Sequence, residues 1–331
     1  MPADFPFLPI LFDEAHGQAH WNQTGFTSRQ RHTNFAGLAA VFERLGGQCD
    51  SQNARPLDLS RARLLVVPPP TGKYNPGGEC WRQDATSLFS PDEISQILHY
   101  LRQGGRLLAF AYRFGDSFTQ TNLGQLFAPL GCLLNDDAIV DLERVRTTHP
   151  LQSLFVTERD LIPLPWAASG VERVAWRYMA TFTVVPGADA KPLVYTPGGS
   201  CVSYNRTHRQ ITFQSLPIAV AGLHGLGRFV LFGGPHAFET GVFGLLHHGH
   251  NTRFLQRVLQ WLLSESPLDA DGVPSRLKVE QERLKRAAEQ NWHRFCQVRD
   301  EGEGEATVAV MDRLLRETGT LRALGKARFA T

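Results

Sequence analysis

Along the first half of the chain, short apolar runs alternate with stretches whose apolar residues recur at helical spacing. Phe7 to Phe12 is such a run, and it breaks off in Asp13, Glu14, His16, Gly17 and Gln18. A buried strand that ends this way delivers polar groups to the C-terminal edge of a sheet, where ligands sit in open α/β folds. Phe35, Leu38, Ala39, Phe42 and Leu45 then share one face of a helix over 34–45, which Gly46-Gly47 stops. Leu64 to Val67 is a compact strand closed by Pro68-Pro69-Pro70. Ser90-Pro91-Asp92-Glu93 supplies an N-cap, a first-turn proline and a reciprocal capping acid. Ile94, Ile97, Leu98 and Leu101 follow on the inward face, and Gly104-Gly105 ends the helix. Arg106 to Ala111 reads as a third buried strand and Asn122 to Leu130 as another helix.

This β–α–β–α–β rhythm implies a parallel sheet with right-handed crossovers. The pattern changes near Thr147, where prolines punctuate short β-rich pieces. Val194 to Ser203, Gln210 to Ser215 and Ala219 to Leu223 read as antiparallel strands or hairpins. Gly222 to Gly227 reads as a hairpin turn, and Gly227 to Phe232 as a strand ending in Gly233-Gly234-Pro235-His236. His250-Asn251 is placed to cap an amphipathic helix over Thr252 to Leu263. Pro267 to Pro274 is a linker by composition. Arg276 to Val298 and Ala306 to Thr318 beyond it read as a helical hairpin that either packs on the body or engages a partner. The expected organisation is an α/β domain over 1–266, with its β-rich part at about 147–232, followed by a linker and hairpin over 267–331.

Composition narrows the function classes. With 34 basic and 32 acidic residues the net charge is +2, which argues against nucleic acid or an anionic membrane as the main partner. Apolar residues make up 42% and charged residues 20%, as in ordinary soluble domains. No apolar stretch approaches the ~18 residues that suggest a membrane span. Met1-Pro2-Ala3-Asp4 lacks the basic start of a signal peptide. Cys49, Cys80, Cys132, Cys201 and Cys296 are scattered, with no C-x-x-C pair. That spacing suggests neither a zinc knuckle nor a disulfide framework, and a cytoplasmic setting is expected.

The candidate chemistry lies at strand ends that should share one edge. Asp13, His16, Gln18 and Trp21 follow the first strand, Tyr112 and Arg113 the third, and His236 and Glu239 the late one. Together they make a polar and aromatic cleft for a small polar ligand or a protein partner. In it Asp13 and His16 accept or donate hydrogen bonds, Arg113 presents a planar fork to an anionic group, and His236 closes the crevice. The plainer alternative pairs Arg113 with Asp116 or with a carboxylate from the first strand. Asp13, His16, His236 and Glu239 also have the donor types of a metal site, but their spacing matches no ligand signature. The histidines are then hydrogen-bonded loop or core residues, and His247, His248 and His250 a solvated loop. Nucleophilic chemistry needs a thiol or hydroxyl at the strand-to-helix elbow. That elbow reads Phe110-Ala111-Tyr112-Arg113-Phe114-Gly115. Cys80 and Cys201 remain as candidates, each weighed against an inert buried thiol. Neither G-x-G-x-x-G after the first strand nor a P-loop occurs, and no cofactor is expected. A hydrolase, metal-assisted or using Cys80 or Cys201 with Glu14 or Glu239 as base, stands as the enzyme alternative.

The order of these motifs carries a resemblance: Asp13-x-x-His16-Gly17, Gly46, Pro69-Pro70, the capped helix, Gly104-Gly105-Arg106-Leu107-Leu108, Gly225-x-Gly227-Arg228-Phe229-Val230, Asn251 and Trp261-Leu262. Over roughly residues 7 to 264 the chain resembles the class I glutamine amidotransferase-like superfamily. The nearest branch is the degenerate, non-catalytic group with gliding-motility, intraflagellar-transport and trehalose-utilisation-type domains. The resemblance implies a flavodoxin-like, doubly wound, mostly parallel sheet with a ligand crevice at the strand ends. Catalytic members carry a Cys after the Gly-Gly strand and a His after a late strand. Here Tyr112-Arg113 holds the first position and His236 falls near the second, which implies a binding subunit of a larger assembly.

Overall fold

The structure, a computed structural model, describes residues 8–16, 35–70, 73–75, 80–82, 84–142, 154–199, 201–205, 207–240 and 244–264. Gln18, Trp21, Cys296, the 266/267 boundary and the C-terminal hairpin lie outside the described residues.

In chain order, β1 (Leu8–Asp13), α1 (Ala36–Arg44), β2 (Gly47–Gln52) and β3 (Leu64–Val67) come first. β4 (Lys73–Asn75) and β5 (Cys80–Arg82) make a small antiparallel pair. α2 (Pro91–Arg102), β6 (Arg106–Phe110), α3 (Gly115–Thr119) and α4 (Leu123–Phe127) follow. The β-rich part holds β7 (Cys132–Leu134), β8 (Asp137–Asp141), β9 (Phe155–Glu158), α5 (Pro165–Ala168), β10 (Arg173–Trp176), β11 (Phe182–Val184), β12 (Ala190–Tyr195), β13 (Cys201–Asn205) and β14 (Gln210–Thr212). β15 (Pro217–His224), β16 (Gly227–Phe232) and α6 (Asn251–Leu263) close the described chain.

The central sheet has seven strands in the order β12-β15-β16-β6-β3-β1-β2. β2, β1, β3, β6 and β16 are parallel. Counted among themselves they run 2-1-3-4-5, the flavodoxin-like order with its switch point between the first and third strands. β15 and β12 extend the sheet antiparallel beyond β16. The fold class is the one expected from the sequence.

Strand side chains alternate between two cores, because successive Cβ atoms point to opposite faces. Leu64, Val66, Leu108, Phe110, Val230 and Phe232 face α1 and α6. Leu65, Val67, Leu107, Ala109, Phe229 and Leu231 face α2 and α4. Burial on both faces is why these strands are apolar throughout. Each fully buried Phe contributes about 1.5–3 kcal/mol.

Several local expectations are corrected. β2 is a strand although its sequence, Gly-Gln-Cys-Asp-Ser-Gln, is polar; among the described residues it is an edge strand that pairs only with β1. Val194 to Ser203 is not one strand but parts of β12 and β13. Asn251 does not cap α6. Its amide bonds Ala175 and the Ala237 carbonyl, tying α6 to β10.

Candidate functional site

Two clusters stand on the C-terminal edge of the sheet. The first is built where β1 ends. Asp13 Oδ1 accepts from the Ala15 N–H at 2.9 Å and Oδ2 lies 2.8 Å from His16 Nδ1, an Asx-type turn that folds the chain back on its strand. The His16 ring stacks on Phe89, with centroids 3.8 Å apart. Its Nε2 lies 3.6 Å from Glu93 Oε1. Glu93 in turn makes the capping box of α2 with Ser90, and Arg55 donates to both of its oxygens. Burial pushes the Glu93 carboxyl up, but the Arg55 and Ser90 hydrogen bonds and the nearby His16 outweigh it, leaving a pKa of about 2. Asp13 and His16 are both completely buried. Their geometry joins the end of β1 to the start of α2, and neither faces solvent.

The second cluster grows from β6 and β16. After β6 the chain turns into α3 through Phe114, whose φ of 60° is left-handed and unusual for a bulky residue. Its N–H donates to the Asp137 carbonyl at 2.6 Å, and its ring is buried against Phe118 and Tyr204. Arg113 is half-buried. Its guanidinium lies 4.5 Å from the Tyr178 ring centre, 5.3 Å from Phe118 and 5.7 Å from Tyr112, within cation–π reach of all three. Asp116 does not serve as its partner. The Asp116 oxygens accept from Leu123 N, Gly124 N and the Thr121 hydroxyl, which fixes the start of α4.

β16 ends in Gly233-Gly234, and the Tyr178–Ala180 backbone passes directly over them. A Cβ on Gly233 would fall 1.9 Å from the Ala180 carbonyl oxygen, and one on Gly234 2.6 Å from that of Tyr178. These glycines therefore bring Tyr178 against His236, edge to face at 4.7 Å. Tyr112 lies 5.7 Å from the same imidazole. His236 Nδ1 is 3.5 Å from Glu239 Oε2. Glu239 is fully buried and its carboxyl oxygens make no hydrogen bond among the described residues. Burial pushes its pKa well above the usual carboxylate range.

The clusters share an edge, but β3 and β6 separate β1 from β16. At about 4.8 Å per strand that places them roughly 14 Å apart. Asp13, His16, His236 and Glu239 therefore form two pairs rather than one ligand set. No group of three or more His, Cys, Asp or Glu able to hold a metal ion occurs among the described residues. Pro69, Pro70, Tyr112, Thr119 and Thr121 line a shallow surface depression that encloses no space for a water-sized group. His247 and His248 are exposed, and His250 Nδ1 accepts from the Glu172 N–H.

Arg55, Phe89 and Tyr178 were not singled out from sequence. Phe89 sits just before an N-cap, and Gly233-Gly234 signals a close backbone approach; Arg55 carried no local signal. Of the cysteines, Cys49 and Cys132 are held by burial at about 12, Cys49 with help from Glu43. Cys201 is buried, and the side chain of Cys80 lies outside the described residues.

No protein-family model matches the sequence, and no curated protein matches it. Solved structures do. The mmIFT52 N-terminal domain aligns over 77% of this chain and 97% of its own, at TM-score 0.55 and 20% identity. A cytoplasmic protein from Salmonella typhimurium aligns over 77% and 99%, at 0.47 and 15%. A ThuA-like protein from Bacteroides uniformis aligns over 80% and 96%, at 0.44 and 12%. At these identities the likeness is one of fold: the chain shares the α/β fold of the mmIFT52 N-terminal domain over nearly all of that domain. No helix among the described residues is long and apolar enough to cross a membrane.

Proposed function

We propose that this chain is a non-catalytic binding protein on a degenerate amidotransferase-like domain, and that it holds a small anionic, polar ligand beside Arg113, Tyr112, Tyr178 and His236. The observation that carries the reading is Phe114. Where a strand-to-helix elbow in a catalytic relative would present a nucleophile, this chain turns through a buried phenylalanine that plugs the neighbouring core. The turn supplies instead an arginine within cation–π reach of three aromatic rings, with an imidazole and a buried acid beside them. Asp13 and His16 act at one remove, fixing the end of β1. Residues 267–331 are, in this reading, the part that attaches the domain to a larger assembly.

A panel of small carboxylates, sugar acids and phosphates, assayed by thermal shift and calorimetry, tests the proposal. At least one should raise the melting temperature, and Arg113→Ala should weaken its binding about ten- to a hundredfold, the value of one charge-assisted hydrogen bond pair. Turnover of any such compound, lost in His236→Ala, would replace this reading with the hydrolase alternative.

A further inference from the structure

The two edges of the seven-stranded sheet are built differently. β12 carries Lys191 and Pro192 and slips register twice against β15, devices that blunt an edge against further pairing. β2, at the opposite edge, runs six residues in unbroken register with β1, from Leu8 opposite Gly47 to Asp13 opposite Gln52. It holds no proline or lysine, and its one charge is Asp50. Leu8 N donates to the Gly46 carbonyl and Glu14 N to that of Gln52. The even-numbered residues therefore turn their backbone groups toward β1, and Gly47, Cys49 and Ser51 turn theirs outward. Asp50 Oδ1 accepts from the Ser51 N–H at 2.8 Å. Among the described residues no strand pairs with this outer edge.

We infer that β2 is the interface between two copies of this chain, paired antiparallel about a two-fold axis through Cys49. Centred there, Cys49 faces Cys49, Gly47 faces Ser51, and Gln48 faces Asp50 of the second copy. Every outward backbone group then has a partner, and each exposed Gln48 amide meets an exposed Asp50 carboxylate, which it can relieve of Ser51. The neighbouring registers are worse. Moved two residues one way, Asp50 meets Asp50; moved the other, Asp50 faces Gly46 and outward bonds are lost. Like charges directly opposite are destabilising, so the sequence selects one pairing, and a two-fold contact of this kind is self-complementary. α1, which packs on β2, leaves only Ala36, Ala40, Glu43 and Arg44 exposed. These are two small residues, one acid and one base, with no bulky apolar group in the way of an approaching copy. The inference is independent of the ligand reading.

The full chain, followed by light scattering during size exclusion from micromolar to hundreds of micromolar, should run as a dimer. Ser51→Pro removes an outward N–H and leaves the bonds to β1 intact, so it should run as a monomer with unchanged circular dichroism. Residues 48 and 50 would form a non-hydrogen-bonded pair with Cα atoms about 4.5 Å apart, within disulfide reach. A mixture of the Gln48→Cys and Asp50→Cys proteins, both also carrying Cys49→Ser so that the facing native thiols cannot bridge, should on treatment with diamide give a covalent dimer that neither variant gives alone. A monomer at every concentration, a Ser51→Pro protein that still dimerises, or a mixture that does not cross-link would each overturn the inference.

Discussion

Replacing Glu93 by Gln tests the junction between the end of β1 and the start of α2. Gln can still accept from the Ser90 N–H, since either residue completes a capping box; what the change removes is the charge that faces Arg55 and His16. The ordinary carboxyl value of 4.5 falls to about 2 in the folded protein. That is about 2.5 units, or about 3 kcal/mol at 1.36 kcal/mol per unit. Glu93 is only 5% exposed, so little is lost to solvent screening on its side. The Arg55 side chain is 30% exposed, which trims the expectation to about 2–3 kcal/mol. Because the folded value is depressed, the stabilisation is complete above about 4.5 and is lost as pH falls through about 2. At pH 3 about 2 kcal/mol of it is gone. Urea titrations of wild type and Glu93→Gln at pH 7 and pH 3 read this directly. The difference in unfolding free energy should be about 2–3 kcal/mol at pH 7 and about 1 kcal/mol at pH 3. An equal difference at the two pH values, or one under about 0.5 kcal/mol at pH 7, would refute the assignment of a charge-based junction.

Gly233→Ala forces a Cβ against the Ala180 carbonyl and should cost more than about 2 kcal/mol, with Tyr178 displaced from His236; thermal denaturation and tyrosine fluorescence measure both. Cys49 and Cys132, held at about 12 by burial, should react with a mild electrophile at pH 8 only on the timescale of unfolding, as mass spectrometry of timed aliquots would record. Truncation after residue 266 should leave ligand-induced thermal shifts intact while abolishing capture of co-purifying proteins; loss of the shift itself would mean that the tail completes the crevice.

Much of the frame was readable before any coordinates. The capping box at Ser90-Pro91-Asp92-Glu93 and the strands over 64–67 and 227–232 stand where the sequence places them, because propensity, capping and burial agree there. β2 was illegible, since an edge strand needs no apolar run. The short strands between 132 and 212 were blurred for a similar reason: they pair across long sequence separations that periodicity does not record. Asp13, His16, Arg113 and His236 do share one edge, as the strand ends implied. Their division into two clusters depends on strand order, which places β3 and β6 between β1 and β16. Tyr178 and Arg55 reach their places through tertiary packing alone.

The central claim is that a small anion is held, unchanged, beside Arg113. A crystal structure of the protein soaked with whichever carboxylate or phosphate raises its melting temperature tests this most directly. The account predicts intact ligand density against the Arg113 guanidinium and the Tyr178 ring, within reach of His236. Density elsewhere on the surface, or a cleaved compound in the crevice, would contradict it.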